Sequence, residues 1–217
     1  MDSQTAQTNM VKQQIRTWNV NQPSVINAFL HIDRQAFVPQ NQHRFAYADM
    51  AIPLMHGQSM LPPKVEAKML QALDVQPEHH ILEIGTGSGF FTALLAKLGR
   101  HVYSVDLYDD FMIGASEALF RQGINNITLE TGNAATGWGN HEPYDIIAIT
   151  GSMPILHDNF KSLLKPGGRL IAILGDTPNM QVTLVTRIGN SDWQCQTLFE
   201  TFCAPLLNVA EPERFRF

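Results

Sequence analysis

Ile81-Leu82-Glu83-Ile84-Gly85-Thr86-Gly87-Ser88-Gly89 runs from a short apolar stretch into three glycines spaced two apart, and Leu94, Leu95 and Leu98 follow at helical spacing. The pattern reads as strand, tight turn and helix. Glycines in such a turn let a ligand approach the backbone, and the helix start offers unpaired N–H groups and the positive end of its dipole. A dinucleotide fingerprint would place its third glycine one residue later, where this chain has Phe90. The acidic residue two places before the first glycine, Glu83, suits the cationic amino end of an amino-acid-bearing cofactor and would repel a pyrophosphate. A nicotinamide-dependent oxidoreductase is therefore disfavoured.

Outward from this loop, short apolar runs alternate with amphipathic helices: Val102 to Val105, Ile127 to Leu129, Ile146 to Ile149 and Leu170 to Leu174. Near-continuous apolar strands fit a parallel sheet covered on both faces, so the expected class is a doubly wound, mostly parallel α/β sheet. Asp106 ends the second strand about 20 residues past the glycines, where a carboxylate takes ribose hydroxyls; its ordinary alternative is the N-cap of the helix near Asp109-Asp110. Val182 to Ile188 and Trp193 to Phe202, joined by Gly189-Asn190-Ser191-Asp192, predict an antiparallel hairpin at the sheet edge.

Upstream, Met10, Val11, Ile15 and Trp18, then Val25, Ile26, Phe29 and Leu30, predict two helices broken at Asn21-Gln22-Pro23-Ser24. The segment from Val38 to Pro63 has prolines and no sustained period and reads as a long irregular loop. The expected division is an N-terminal helical extension with a substrate-side loop over 1–63 and a ligand-binding domain over 64–217. Asp145, just before its strand, lies at the edge away from the ligand crevice and reads as structural; Trp138 reads as core.

Of the 217 residues, 44% are hydrophobic, enough for one substantial core, and the net charge of −5 provides no positive field for nucleic acid. The first residues have no basic start or apolar h-region, and no stretch approaches the roughly 18 apolar residues of a membrane span. The expectation is a soluble cytoplasmic protein without membrane or nucleic-acid partners. The two cysteines, Cys195 and Cys203, fall in one strand-like run, too far apart for a disulfide. No Ser-His-Asp or metal-ligand pattern emerges among the eight histidines, and His79-His80 reads as a turn, so no metal is expected.

Val11-Lys12-Gln13-Gln14-Ile15-Arg16, Arg34-Gln35-Ala36-Phe37-Val38-Pro39, Tyr47-Ala48-Asp49, Gly57-Gln58-Ser59, the glycine loop, Gly137-Trp138, Tyr144-Asp145 and Leu164 to Leu170 together resemble the protein-L-isoaspartate O-methyltransferases over nearly the whole chain. The resemblance implies a seven-stranded sheet, S-adenosylmethionine as methyl donor with S-adenosylhomocysteine as product, and methyl transfer to isoaspartyl carboxylates of damaged proteins. It assigns cofactor binding to Gln58, Ser59, Glu83, Gly85, Thr86, Gly87, Ser88, Gly89, Asp106, Leu107, Asn133 and Ala134. Ser59 and Asp49 are the candidate catalytic residues, Asp49 with a turn cap as its alternative. In the family a serine that orients the substrate carboxylate stands where this chain has Leu61, and an aspartate stands where it has Asn133. Leucine donates no hydrogen bond, whereas an amide oxygen still accepts one. Leu61, with Met50, Met55 and Met60 nearby, points to a second reading: a methyltransferase for a smaller or less charged acceptor. A non-catalytic S-adenosylmethionine-binding protein is the third.

Overall fold

The computed structural model describes residues 2–210. Asp2 caps α1 (Ser3–Met10), its carboxylate accepting from the Thr5 N–H at 2.7 Å. The helix thus starts upstream of the apolar pattern at Met10, in a polar stretch whose signal is the cap rather than periodicity. The chain continues through a π turn, Val11–Ile15, and a 3-10 turn, Arg16–Trp18, that Asn19 ends in the left-handed region at φ 60°. Pro23 opens α2 (Pro23–His31), where its missing N–H costs nothing. The stretch expected to be irregular carries 3-10 turns at Arg34–Phe37 and Gln40–Phe45. It also forms a two-residue antiparallel ladder between β1 (Ile52–Pro53) and β2 (Ser59–Met60).

After α3 (Pro63–Leu73), strands and helices alternate: β3 (His80–Ile84), α4 (Phe90–Leu98), β4 (His101–Asp106), α5 (Asp109–Arg121), β5 (Ile127–Thr131), β6 (Tyr144–Met153), α6 (Asp158–Ser162) and β7 (Leu164–Leu174). The hairpin β8 (Gln181–Arg187) and β9 (Trp193–Glu200) completes a seven-stranded sheet of order β5-β4-β3-β6-β7-β8-β9. The β5–β4, β4–β3, β3–β6 and β6–β7 pairings are parallel; β7–β8 and β8–β9 are antiparallel. The strand order reverses between β3 and β6, which opens a crevice at their carboxyl ends.

One difference from the sequence expectation has a local cause. β9 ends at Glu200, because the Thr201 N–H turns to the Met180 carbonyl and the chain crosses toward β6. There Ser152 donates to the Ala204 carbonyl at 3.0 Å and accepts from the Leu206 N–H at 2.9 Å. Cys203 therefore lies outside the strand, and both cysteines are free. Gly167-Gly168 form an irregularity within β7: the register jumps between Tyr144↔Leu164 and Ile146↔Arg169.

Alternation along β3 divides the core. Ile81 packs with α4 and the N-terminal helices, while Leu82 and Ile84 face the opposite layer. Phe29 and Phe37 meet Phe90 edge-on at centroid separations of 5.9 and 5.6 Å, tying the N-terminal segment to the start of α4. Asp145 accepts from the His80 N–H at 2.8 Å and from Lys165 Nζ at 2.7 Å, joining three elements at the edge remote from the crevice. Among the described residues no helix is long and apolar enough to cross a membrane.

Candidate active site

Gly85 leaves β3 with φ +94°, its N–H still donating to the Val105 carbonyl at 2.8 Å. Gly87 (φ +50°) and Gly89 (φ +82°) complete the turn, and Gly89 caps α4. A Cβ on Gly85 would collide with Thr150 Oγ1, and one on Gly89 would lie 2.9 Å from Ala115 Cβ on α5. The first glycine thus brings backbone close to β6, and the third lets two helices close on each other.

The crevice holds an open cleft lined by the ends of β3 and β4 and by Thr150 and Gly151 of β6. Of the residues expected to bind cofactor, Gln58, Ser59, Gly85, Gly87, Asp106, Leu107 and Ala134 line it. Thr86 and Ser88 line a small adjoining hollow, together with Ser59, Met60, Leu61, Glu66 and Phe91. Asp106 is positioned by its own surroundings: one carboxylate oxygen accepts from the Gly87 N–H at 2.9 Å, the other from the Tyr108 N–H at 3.2 Å. Burial raises its pKa, and the backbone donors of Gly87, Tyr108 and Leu107 oppose that rise.

Glu83, Gly89, Asn133 and Asp49 lie outside both linings. Glu83 is expected to meet the ligand's amino end, and strand alternation sets where its side chain lies. Its side chain points to the α4 layer, where Oε2 accepts from Thr92 and Ser104, and Ser104 pairs with Thr86 at 2.6 Å. Glu83 thereby braces the glycine loop from behind. Asn133, expected among the cofactor-binding residues, accepts from the Ala135 N–H at 3.1 Å, a local turn bond. Asp49 pairs with Lys64 Nζ at 2.6 Å, at the start of α3.

The sequence reading missed Leu54, Tyr108, Phe111, Thr150 and Gly151 as lining residues, along with Cys203, Ala204, Leu206 and Leu207. Thr150 donates to the Ile84 and Gly85 carbonyls at 3.1 and 2.6 Å, fixing the floor of the turn. The Cys203 thiol is pushed up to about 12 by burial, which leaves it unreactive at neutral pH. Among the described residues, no three His, Cys, Asp or Glu side chains gather as a metal site.

Burial pushes the Glu83 carboxyl from 4.5 up to about 8 against the pull of the Ser104 and Thr92 hydroxyls, and Oε1 has no hydrogen-bond partner. Between those values the folded chain holds a proton that the unfolded chain has released. The stabilisation from the neutral carboxyl is therefore complete below pH 4.5 and lost as the pH rises through about 8. Melting temperature should fall from pH 6 to pH 9, with Glu83 contributing a slope approaching about 1.4 kcal/mol per pH unit. Glu83→Gln, neutral at every pH, should flatten that fall; an equally steep profile in the variant would refute the neutral carboxyl.

The sheet order, the glycine turn and a crevice at the switch point define the doubly wound methyltransferase fold. The family model described as protein-L-isoaspartate(D-aspartate) O-methyltransferase matches residues 5–210. Protein-L-isoaspartate O-methyltransferase 2 of Pelobacter propionicus is 33% identical over 201 residues, 92% of this chain and 89% of the relative. The Myxococcus xanthus protein-L-isoaspartate O-methyltransferase is 39% identical over 160 residues, 74% of this chain and 76% of that one. A Plasmodium falciparum structure assigned to the same activity, in complex with S-adenosyl-L-homocysteine, superposes with a TM-score of 0.80 at 19% identity. It covers 95% of this chain and 98% of its own, and so shares the fold. The chain belongs to the protein-L-isoaspartate(D-aspartate) O-methyltransferase family.

Proposed function

We propose that the protein is an S-adenosylmethionine-dependent carboxyl methyltransferase acting on L-isoaspartyl residues of damaged proteins. The observation that carries this reading is the family match over residues 5–210, on a fold whose switch-point cleft is intact. The cleft suits the donor. Its floor at Gly85 is bare backbone packed against Thr150 with no room for a Cβ, and the Asp106 carboxylate on its wall suits a ribose diol. Leu107 and Ala134 offer apolar contact for the base, with Gln58 and Ser59 on the facing side. When bound, the donor supplies a methyl group on a sulfonium.

An acceptor carboxylate is already ionised at pH 7, so the chain need not supply a strong base. That methyl would pass to the acceptor carboxylate, leaving a methyl ester and S-adenosylhomocysteine. The protein's part is alignment and exclusion of water. Ser59 lines both the cleft and the adjoining hollow, which supports a role for its hydroxyl in orienting the acceptor.

One observation favours the second reading, a less charged acceptor: Leu61 lines the hollow with Met60 and Phe91, giving it an apolar wall. Calorimetric titration with S-adenosylmethionine, followed by methyl transfer to an isoaspartyl peptide and its aspartyl counterpart, separates the readings. Binding with transfer to the isoaspartyl peptide alone is the expected result. Binding without transfer would shift the assignment to another acceptor, and no binding would overturn both.

A further inference from the structure

Between β1 and β2 the chain crosses the mouth of the cleft. Leu54, Gln58 and Ser59 line it from this strap, while Asp106, Leu107, Tyr108 and Phe111 form the wall opposite. The strap is a closed turn: the Leu54 N–H donates to the Gln58 carbonyl at 2.8 Å, and the Gln58 N–H to the Met55 carbonyl at 3.0 Å. At its tip His56 and Gly57 both adopt left-handed backbone, at φ 57° and 70°. A histidine there is unusual, and such conformations persist where surrounding contacts impose them.

Those contacts all reach across the cleft. The imidazole lies flat on the Tyr108 ring, 3.7 Å between centroids and 6° from parallel, with Phe111 edge-on at 5.5 Å. Nε2 is 2.7 Å from Asp110 Oδ2, and the other oxygen of Asp110 accepts from the Phe111 N–H at 2.9 Å at the start of α5. The pair is half-exposed, with side-chain exposures of 34% and 44%, so it contributes no core packing.

We infer that His56 is a positioning residue that clasps the cofactor cleft. Stacked on Tyr108 and paired with Asp110, it holds the 54–59 strap against the opposite wall, so that the methyl donor and its demethylated product exchange only when the clasp opens. The inference rests on the cofactor reading proposed above. It makes His56 a determinant of ligand residence rather than of the transfer step. The lining side chain through which it acts is Tyr108, whose outer face it covers.

The test measures release of S-adenosylhomocysteine from the full-length protein by rapid-mixing displacement with excess S-adenosylmethionine, together with steady-state constants for cofactor and acceptor. His56→Asn keeps a residue tolerated in left-handed backbone but removes the ring. It should release product about tenfold faster and raise the cofactor KM to a similar degree, with the acceptor KM and melting temperature unchanged. His56→Phe, which retains the stack without the Asp110 pair, should fall between. Unaltered release and cofactor KM in His56→Asn would overturn the clasp. Failure of the unaltered protein itself to bind the ligand would overturn the cofactor reading beneath it.

Discussion

Gly85→Ala should lose S-adenosylmethionine binding by 100-fold or more, on the order of 3 kcal/mol, the largest effect of any single methyl group in the molecule. The added carbon meets two obstacles. At φ +94° an L side chain is strained, at a cost of about 1–2 kcal/mol. Its Cβ would also run into Thr150 Oγ1, and Thr150 cannot swing away without abandoning its bonds to the Ile84 and Gly85 carbonyls. The backbone must therefore shift where the cleft floor is made of backbone. Gly123→Ala is the matched control: it has φ +69°, open space around its Cβ, and no place in either lining. It should pay the conformational strain alone and bind cofactor normally. Calorimetry on both variants, with denaturant unfolding to separate stability from affinity, checks the prediction. Equal affinities in Gly85→Ala and the unaltered protein would show that the floor tolerates a methyl and that no ligand packs there.

The glycine turn was legible because its signal is local: three residues whose missing side chains serve one backbone path. The parallel sheet was legible for a related reason, since strands covered on both faces announce themselves as unbroken apolar runs. Glu83 shows where such reading stops. Period-two alternation says that Glu83 and Ile84 face opposite ways but not which face carries the ligand; that is decided by α4 covering the Ile81 side. Position along the chain marks Asn133 but does not reveal that its side chain closes a local turn onto Ala135. The walls supplied by Leu54, Tyr108, Cys203, Ala204, Leu206 and Leu207 had no sequence signature. They come from segments up to 150 residues apart that meet only through tertiary structure, the last after the chain leaves β9 and crosses to Ser152.

Arg34→Met should destabilise the fold by about 3–5 kcal/mol, the largest stability loss expected of any single change here, because it leaves a carboxylate alone in the interior. Arg34 is fully buried and Glu66 is 3% exposed, and the two form an ion pair. Arg34 Nη2 also donates to the Leu61 carbonyl at 2.7 Å, and the guanidinium lies 4.6 Å from the centre of the Phe90 ring. One side chain thus joins the Arg34–Phe37 turn, α3, the loop behind the small hollow and the start of α4. Burial pushes Glu66 from 4.5 up to about 7 even with Arg34 opposing it, so the carboxyl is costly where it sits. Without the guanidinium it must take up a proton or unfold the helix around it. Adding Glu66→Leu to Arg34→Met removes the orphaned charge and should recover most of the loss, since an apolar pair of similar volume often equals a buried ion pair. Urea unfolding of both single variants and the double variant at pH 7.5 closes the cycle. Losses that simply add would mean that Arg34 acts through Leu61 and Phe90 alone. Recovery in the double variant would identify the buried charge as the cause, and Glu66 as a residue tolerated beside the glycine loop only because Arg34 is there.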